Sequence, residues 1–283
     1  MLRVLLTLCM LCTCATGQDG RSIFQYLEDQ GFSTLVELIR GAGLSQEFED
    51  LDAIKTVFAP TNEAFKAVPD SVMVQLQTNV TLLKQVLLGH VVMDDTVLGV
   101  FIRDGLTKTS AAGTTLSFNK YNQIKTVNGA QISGDVLLAN GVVQSINKVL
   151  LPIGDTISTI VAEGDAQFQD LFGFLILARL FGTLSLPGPY TVFAPTDAAF
   201  EKIDVSPLIT NRTALADVLK DHVLSGTLWS AGLTDGMTLE TLSGKQLTVH
   251  LASGAQVDNS NVIQTDIGAT NGVIHVIDTV LTP

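Results

Sequence analysis

TVFAPTNEAF occupies residues 56–65, and TVFAPTDAAF occupies residues 191–200. Eight of the ten positions are identical, 135 residues apart. Further pairs follow in the same order. NVT at 79–81 answers NRT at 211–213, and VLLGHVV at 86–92 answers VLKDHVL at 218–224. ANGVVQSINKVLLP at 139–152 answers TNGVIHVIDTVLTP at 270–283. The spacing drifts only from 135 to 131 residues, so one domain is written twice with small insertions and deletions. The period is too long for a solenoid repeat, and each copy is large enough to own a core. The boundary falls near residues 152–155, giving expected domains at 18–153 and 154–283.

The repeated phrase is a strand that turns into a helix. Thr56, Val57, Phe58 and Ala59 are a short run rich in β-formers. Pro60 stops the ladder, and Thr61 or Asn62 can cap a short helix carrying Ala64 and Phe65. Phe58, Phe65, Phe193 and Phe200 are expected to be buried, and Thr61 and Thr196 to cap. Upstream, Phe32, Leu35, Leu38 and Ile39 recur at helical spacing and Gly41 and Gly43 close the segment. A second helix is expected over about Leu82 to Gly89. The later part of each copy alternates as strands do, for example Gln246 to Leu251, Val262 to Thr265 and Gly272 to Val280, with Gly and Asn turns between them. Helices first and strands later on one core make an α+β fold.

The ends of the chain bear on location. Arg3, the apolar run Val4 to Leu11 and the small residues Cys14, Ala15, Thr16 and Gly17 have the layout of a secretory signal peptide over residues 1–17, cut before Gln18. All three cysteines, Cys9, Cys12 and Cys14, lie inside it. Each domain is then held by its core alone, with no disulfide and no thiol chemistry. The chain stops at Thr282 and Pro283 without a hydrophobic tail, so no membrane anchor is expected. A net charge of −12 repels phosphate backbones, which argues against nucleic acid.

The four landmarks, in this order, resemble two tandem fasciclin (FAS1) domains. TVFAPT(N/D)xAF is similar to that family's first signature, and NGVIHVIDTVLTP and NGVVQSINKVLLP to its second. Between them each copy has the family's single histidine at a helix end. The resemblance covers nearly all of residues 20–283. It implies that each copy is a wedge: a seven-stranded β-sandwich with a cluster of helices against one side.

Enzyme signatures are missing from the sequence. LWSAG at 228–232 lacks the first glycine of a nucleophile elbow, and no H-E-x-x-H, P-loop or EF-hand loop occurs. Of the four histidines, only His90 and His222 occupy matched positions. Leu83, Val86, Leu87 and His90 stand at i, i+3, i+4 and i+7, as do Leu215, Val218, Leu219 and His222. Each histidine therefore faces the apolar side of its helix and is read as a buried tether, not as a catalytic group or metal ligand. No metal site and no cofactor is expected.

The resemblance adds candidates for recognition. A Tyr-His segment flanked by branched apolar residues is associated in this family with integrin-dependent adhesion. The flanking residues are here, as Leu87, Leu88, Val91 and Val92, then Val218, Leu219, Val223 and Leu224. Gly89 and Asp221 replace the tyrosine. His90 and His222 are carried forward as partner-binding candidates on this ground. A second family element is an Asp-Ile pair before the terminal ATNG. Asp266 and Ile267 match it, and Asp135 and Val136 match it approximately. An exposed carboxylate beside an apolar side chain suits completion of a receptor-bound divalent cation; the same residues also suit an ordinary turn.

Two further features stand out. Asn79 and Asn211 head the only N-x-Ser/Thr sequons, at matched positions before a helix, and are expected to carry glycans. LFGFLILARLF at 171–181 has Arg179 as its only charge. A helix apolar all round must be covered on every side, so it is expected to be core or packed against the neighbouring domain, with a patch for a partner or apolar ligand as the alternative. The expectation is a secreted, extracellular adhesion or matrix protein that is not an enzyme and binds cell-surface receptors or matrix proteins. The competing expectation is a soluble extracellular carrier of an apolar small molecule.

Overall fold

The structure is a computed structural model. It describes residues 20–163, 166–252 and 254–282. The chain divides into two compact units between Pro152 and Ile153.

The first unit opens with α1 (Ile23–Asp29), α2 (Ser33–Gly41) and α3 (Ser45–Glu49), followed by β1 (Lys55–Pro60). Then come α4 (Asn62–Lys66), α5 (Asp70–Thr78), α6 (Val80–Gly89) and β2 (Val91–Met93). The remaining strands are β3 (Leu106–Thr109), β4 (Thr115–Tyr121), β5 (Ile124–Val127), β6 (Ala130–Leu138) and β7 (Gly141–Ile146). The second unit repeats the plan with α7 (Ile157–Glu163), α8 (Gln169–Leu177), β8 (Tyr190–Pro195), α9 (Asp197–Phe200), α10 (Ser206–Thr210) and α11 (Arg212–Lys220). It ends on β9 (Val223–Ser225), β10 (Thr238–Glu240), β11 (Gln246–His250), β12 (Gln256–Val257), β13 (Ser260–Ala269) and β14 (Gly272–Ile277).

Each unit contains a seven-stranded sheet, in the order β2-β1-β7-β6-β5-β4-β3 and β10-β11-β12-β13-β14-β8-β9. β1 and β7 are parallel, as are β8 and β14; the other neighbours are antiparallel. The sheet folds over on itself: Phe58 on β1 meets Phe118 on β4 with ring centroids 5.5 Å apart. One apolar cluster fills the space between the two leaves, around Phe58, Leu116, Phe118 and Ile146. A larger one lies between helices and sheet, around Ile23, Leu35, Ile39, Leu83 and Val143. The second unit has the same pair of clusters. The repeated phrase therefore supplies both cores, since Phe58 and Phe193 enter the leaf cluster while Phe65 and Phe200 enter the helical one. All four rings are buried, each contributing about 1.5–3 kcal/mol.

Thr61 and Thr196 cap as expected, their hydroxyls accepting from the amides of Ala64 and Ala199 at 3.2 Å. α6 starts at Val80, earlier than apolar spacing suggests, because Asn79 caps it through Leu82 at 3.0 Å. β13 runs well beyond the expected Val262 to Thr265, since Ile267, Gly268 and Ala269 still pair with β14. Gly141 and Gly272 open the last strand of each copy at φ 144° and 154°. A Cβ there would sit 1.8 Å from the Lys55 carbonyl oxygen and 2.0 Å from that of Tyr190, so the close strand approach requires glycine.

Candidate functional site

The Asp-Ile and Asp-Val pairs lie in a β-bulge. In the first copy Ser133 pairs with Ser145 and Val136 with Val143, so Gly134 and Asp135 together face Gln144. In the second, Gln264 pairs with Val276 and Ile267 with Ile274, so Thr265 and Asp266 together face His275. A bulge re-aims a side chain and bends its strand. The left-handed residue is Gly134 in one copy and Asp266, at φ 63°, in the other.

Each bulge aspartate holds the first amide of a one-turn 3-10 helix. Asp135 accepts the Gly99 amide at 2.9 Å and the Gln144 side-chain amide at 2.6 Å. Asp266 accepts the Ser230 amide at 2.7 Å, and the Ser230 hydroxyl as well. Gly99 and Ser230 each begin such a helix, Gly99–Phe101 and Ser230–Gly232. The residue facing the bulge continues the network inward. Gln144 donates to the Val97 carbonyl at 2.7 Å. His275 takes up that role in the second copy: Nε2 donates to the Leu228 carbonyl at 2.8 Å and Nδ1 accepts the Asp266 amide at 3.2 Å. Thr56 and Thr191 accept the amides of Val97 and Leu228 and donate to the carbonyls of Asp95 and Gly226. Bulge, 3-10 helix and preceding loop thus form one hydrogen-bonded body in each copy.

This corrects the expectation of free, solvent-facing carboxylates. Asp266 is half-buried and spends both oxygens on Ser230. Asp135 is exposed as a residue, yet both its oxygens are engaged. Val136 and Ile267 are half-buried against the helical cores of their own copies.

The matched histidines are tethers. His90 is 2% exposed and His222 3%. Nδ1 of His90 donates to the Val86 carbonyl at 2.8 Å, and Nε2 accepts the Leu150 amide at 2.8 Å. His222 does the same with Val218 at 2.7 Å and Leu281 at 2.9 Å. Each ring ties a helix end to the segment after the last strand. Both nitrogens are committed in the neutral form, and desolvation pushes each pKa down to about 4. Complete burial corrects their candidacy as partner-binding residues, since a macromolecule cannot touch them.

Asn79 and Asn211 are exposed. Each caps a helix through its Oδ1, α6 at the amide of Leu82 and α11 at the amide of Ala214. The apolar segment is only partly covered. Leu171 and Leu175 are buried and the Phe174 ring meets that of Phe200 in a tilted contact with centroids 4.9 Å apart, but Ile176 is 50% exposed. The expected signal peptide and Gln18 lie outside the described residues. Among the described residues, no helix is long and apolar enough to cross a membrane.

Sequence reasoning passed over two polar anchors. Asn140 and Asn271 looked like turn residues but are buried. Asn140 accepts the Ile23 amide at 2.8 Å and donates to the carbonyls of Phe48 and Asp50. Asn271 repeats this with Ile157, Leu184 and Leu186. Each clamps its copy's first helix to its last hairpin, and recurrence of Asn-Gly in both copies was the available signal. Lys55 was also missed. It is 1% exposed, and its ammonium donates to the carbonyls of Glu47 and Asp50. Burial lowers its pKa, opposed by the nearby Asp50 and Glu47 carboxylates.

Among the described residues, no group of three His, Asp, Glu or Cys side chains could hold a metal ion. The sequence pattern of the fasciclin domain matches residues 30–152 and again residues 166–283. The chain is 34% identical to transforming growth factor-beta-induced protein ig-h3 of Sus scrofa over 236 residues, which are 81% of this chain and 34% of that protein. It is 30% identical to periostin of Homo sapiens over 263 residues, 87% of this chain and 31% of that protein. The chain therefore spans about a third of the length of these relatives. A solved FAS1 domain pair from the insect cell adhesion molecule fasciclin I superposes with a TM-score of 0.44 at 21% identity, covering 90% of this chain and 98% of that one.

Proposed function

The chain belongs to the fasciclin family through two successive domains, and from that premise we propose that it is a secreted adhesion or matrix protein that binds protein partners through its domain surfaces. The observation that carries this reading is how the buried polar side chains at matched positions are used. His90 and His222, Asn140 and Asn271, and Thr56 and Thr191 all bond backbone groups of their own copy. They serve the scaffold, so function falls to the surface. A duplicated scaffold also suits adhesion, because two weak sites on one chain gain effective concentration without new contacts.

Receptors or matrix proteins are the proposed partners, and extracellular release after cleavage before Gln18 is the proposed route. The two bulges, with Asp135, Val136, Asp266 and Ile267, are the proposed contact regions. There each aspartate acts through the 3-10 helix it holds, not as an isolated carboxylate. Cross-linking the mature chain to extracellular material of its own source tests this. Saturable cross-links from residues flanking the bulges to a protein partner support it. A chain that captures no protein saturably refutes it.

A further inference from the structure

The second copy contains a cavity of about 420 Å³ between the 203–208 segment and α11. Ile203, Leu208 and Val218 give it an apolar lining, and Asp204, Asp217 and Asp221 add three carboxylates. Asp221 is 5% exposed, and its carboxylate accepts the Ser243 hydroxyl. Two ammonium groups already contact residues of the cavity lining, Asp217 and Thr282. Lys220 contacts Asp217 at 3.2 Å in an exposed pair, and Lys245 donates to the Thr282 carbonyl at 2.6 Å. Exposed pairs of that kind are worth only about 0–1 kcal/mol and exchange easily. Asp204 accepts the Ser206 amide at 3.0 Å, and these Ser206 bonds hold its pKa below the ordinary carboxylate range.

Two of the three carboxylates are not part of the shared scaffold. Asp217 and Asp221 fall where the first copy has Gln85 and Gly89, at the same offset that relates His222 to His90. The helix bordering the cavity also differs. α10 has 5 residues, while its counterpart α5 has 9; each sets apolar side chains against its core, Leu208 in one and Val72 and Met73 in the other. The second copy therefore sets negative charge beside an apolar recess where the first copy has Gln85 and Gly89.

We propose that this cavity receives an arginine side chain of a protein partner. The aliphatic stem lies along Ile203, Leu208 and Val218, and the guanidinium meets Asp217 and Asp221. A long basic side chain has the matching shape, an apolar stem with a charged end. A planar guanidinium can serve two carboxylates at once, which an ammonium does less well. A cation arriving at Asp221 also compensates a carboxylate already withdrawn from water. This inference names the partner chemistry of the adhesion reading and rests on it for the source of the arginine.

The test is an NMR titration of the full-length mature chain with acetyl-Leu-Arg-Leu-amide, using the citrulline peptide as the uncharged isostere. The expected result is saturable shifts at the amides of Leu208, Ala214 and Val218, with citrulline binding at least about tenfold more weakly. Asp217→Asn, whose side chain is exposed, should weaken the arginine peptide while leaving thermal unfolding unchanged. Absence of saturable shifts at about 10 mM peptide, or equal binding of the citrulline peptide, overturns the proposal. Equal binding of butylguanidinium alone would reassign the cavity to a small organic cation and overturn it too. No cell or matrix enters this assay, so its failure is separable from failure of the adhesion reading.

Discussion

Lowering the pH should destabilise the first domain through His90, by an amount the structure sets. His90 is the only histidine of residues 20–152. Its folded pKa is lowered from 6.5 to about 4, first by desolvation, with the Val86 hydrogen bond opposing. A depressed base takes its proton more readily in the unfolded chain. Stability is therefore fully present above pH 6.5 and is lost as pH falls towards 4. The whole window is worth about 3 kcal/mol, and the part reached by pH 5 about 2 kcal/mol. Ordinary carboxylates titrate mostly below that point, so the histidine dominates between pH 7 and pH 5. Hydrogen exchange read at β1 of the full chain, corrected for intrinsic rates, reports the opening free energy of this domain alone. His90→Gln should cost about 1–3 kcal/mol at neutral pH, because the amide of Leu150 loses its acceptor, and should flatten the pH slope. The reasoning is refuted if wild type shows no change between pH 7 and pH 5, or if His90→Gln retains the full slope.

Asp266→Ala should destabilise the second domain by about 1–3 kcal/mol by stranding the Ser230 amide, read by fluorescence of the single tryptophan, the buried Trp229; unchanged stability would contradict the cap. Gly141→Ala should abolish cooperative unfolding of the first domain, since the new methyl meets the Lys55 carbonyl; a folded variant would show that the strands can part. Glycosidase treatment of protein from its own source should remove up to two glycans, and Asn79→Gln with Asn211→Gln should remove the effect; an unchanged mass in the wild type would rule out both sites.

Much of the fold was legible because duplication writes each signal twice. The repeated ten-residue phrase marked a strand, a cap and, over both copies, four buried rings, and helical spacing placed His90 and His222 on a buried face. These are local patterns, so sequence carries them. What sequence could not show depends on partners far along the chain. Asn140 reads as a turn residue until the backbone of Ile23, Phe48 and Asp50 surrounds it. Asp266 reads as an exposed turn carboxylate until the bulge aims it at Ser230, 36 residues away. The 171–181 segment reads as covered on all sides, yet Ile176 stays half in solvent. The cavity beside α11 depends on how the 203–208 segment packs against that helix, which spacing alone does not give, although its two aspartates at 217 and 221 stand in the alignment of the copies.

The most direct test of the adhesion account is attachment of cells to surfaces coated with the full mature chain, compared with surfaces coated with the same chain after heat unfolding and with an inert protein. The account predicts dose-dependent spreading on the folded chain, lost on the unfolded chain and reduced when chelator removes divalent cations. Attachment to the folded chain no greater than to the inert coating would contradict it.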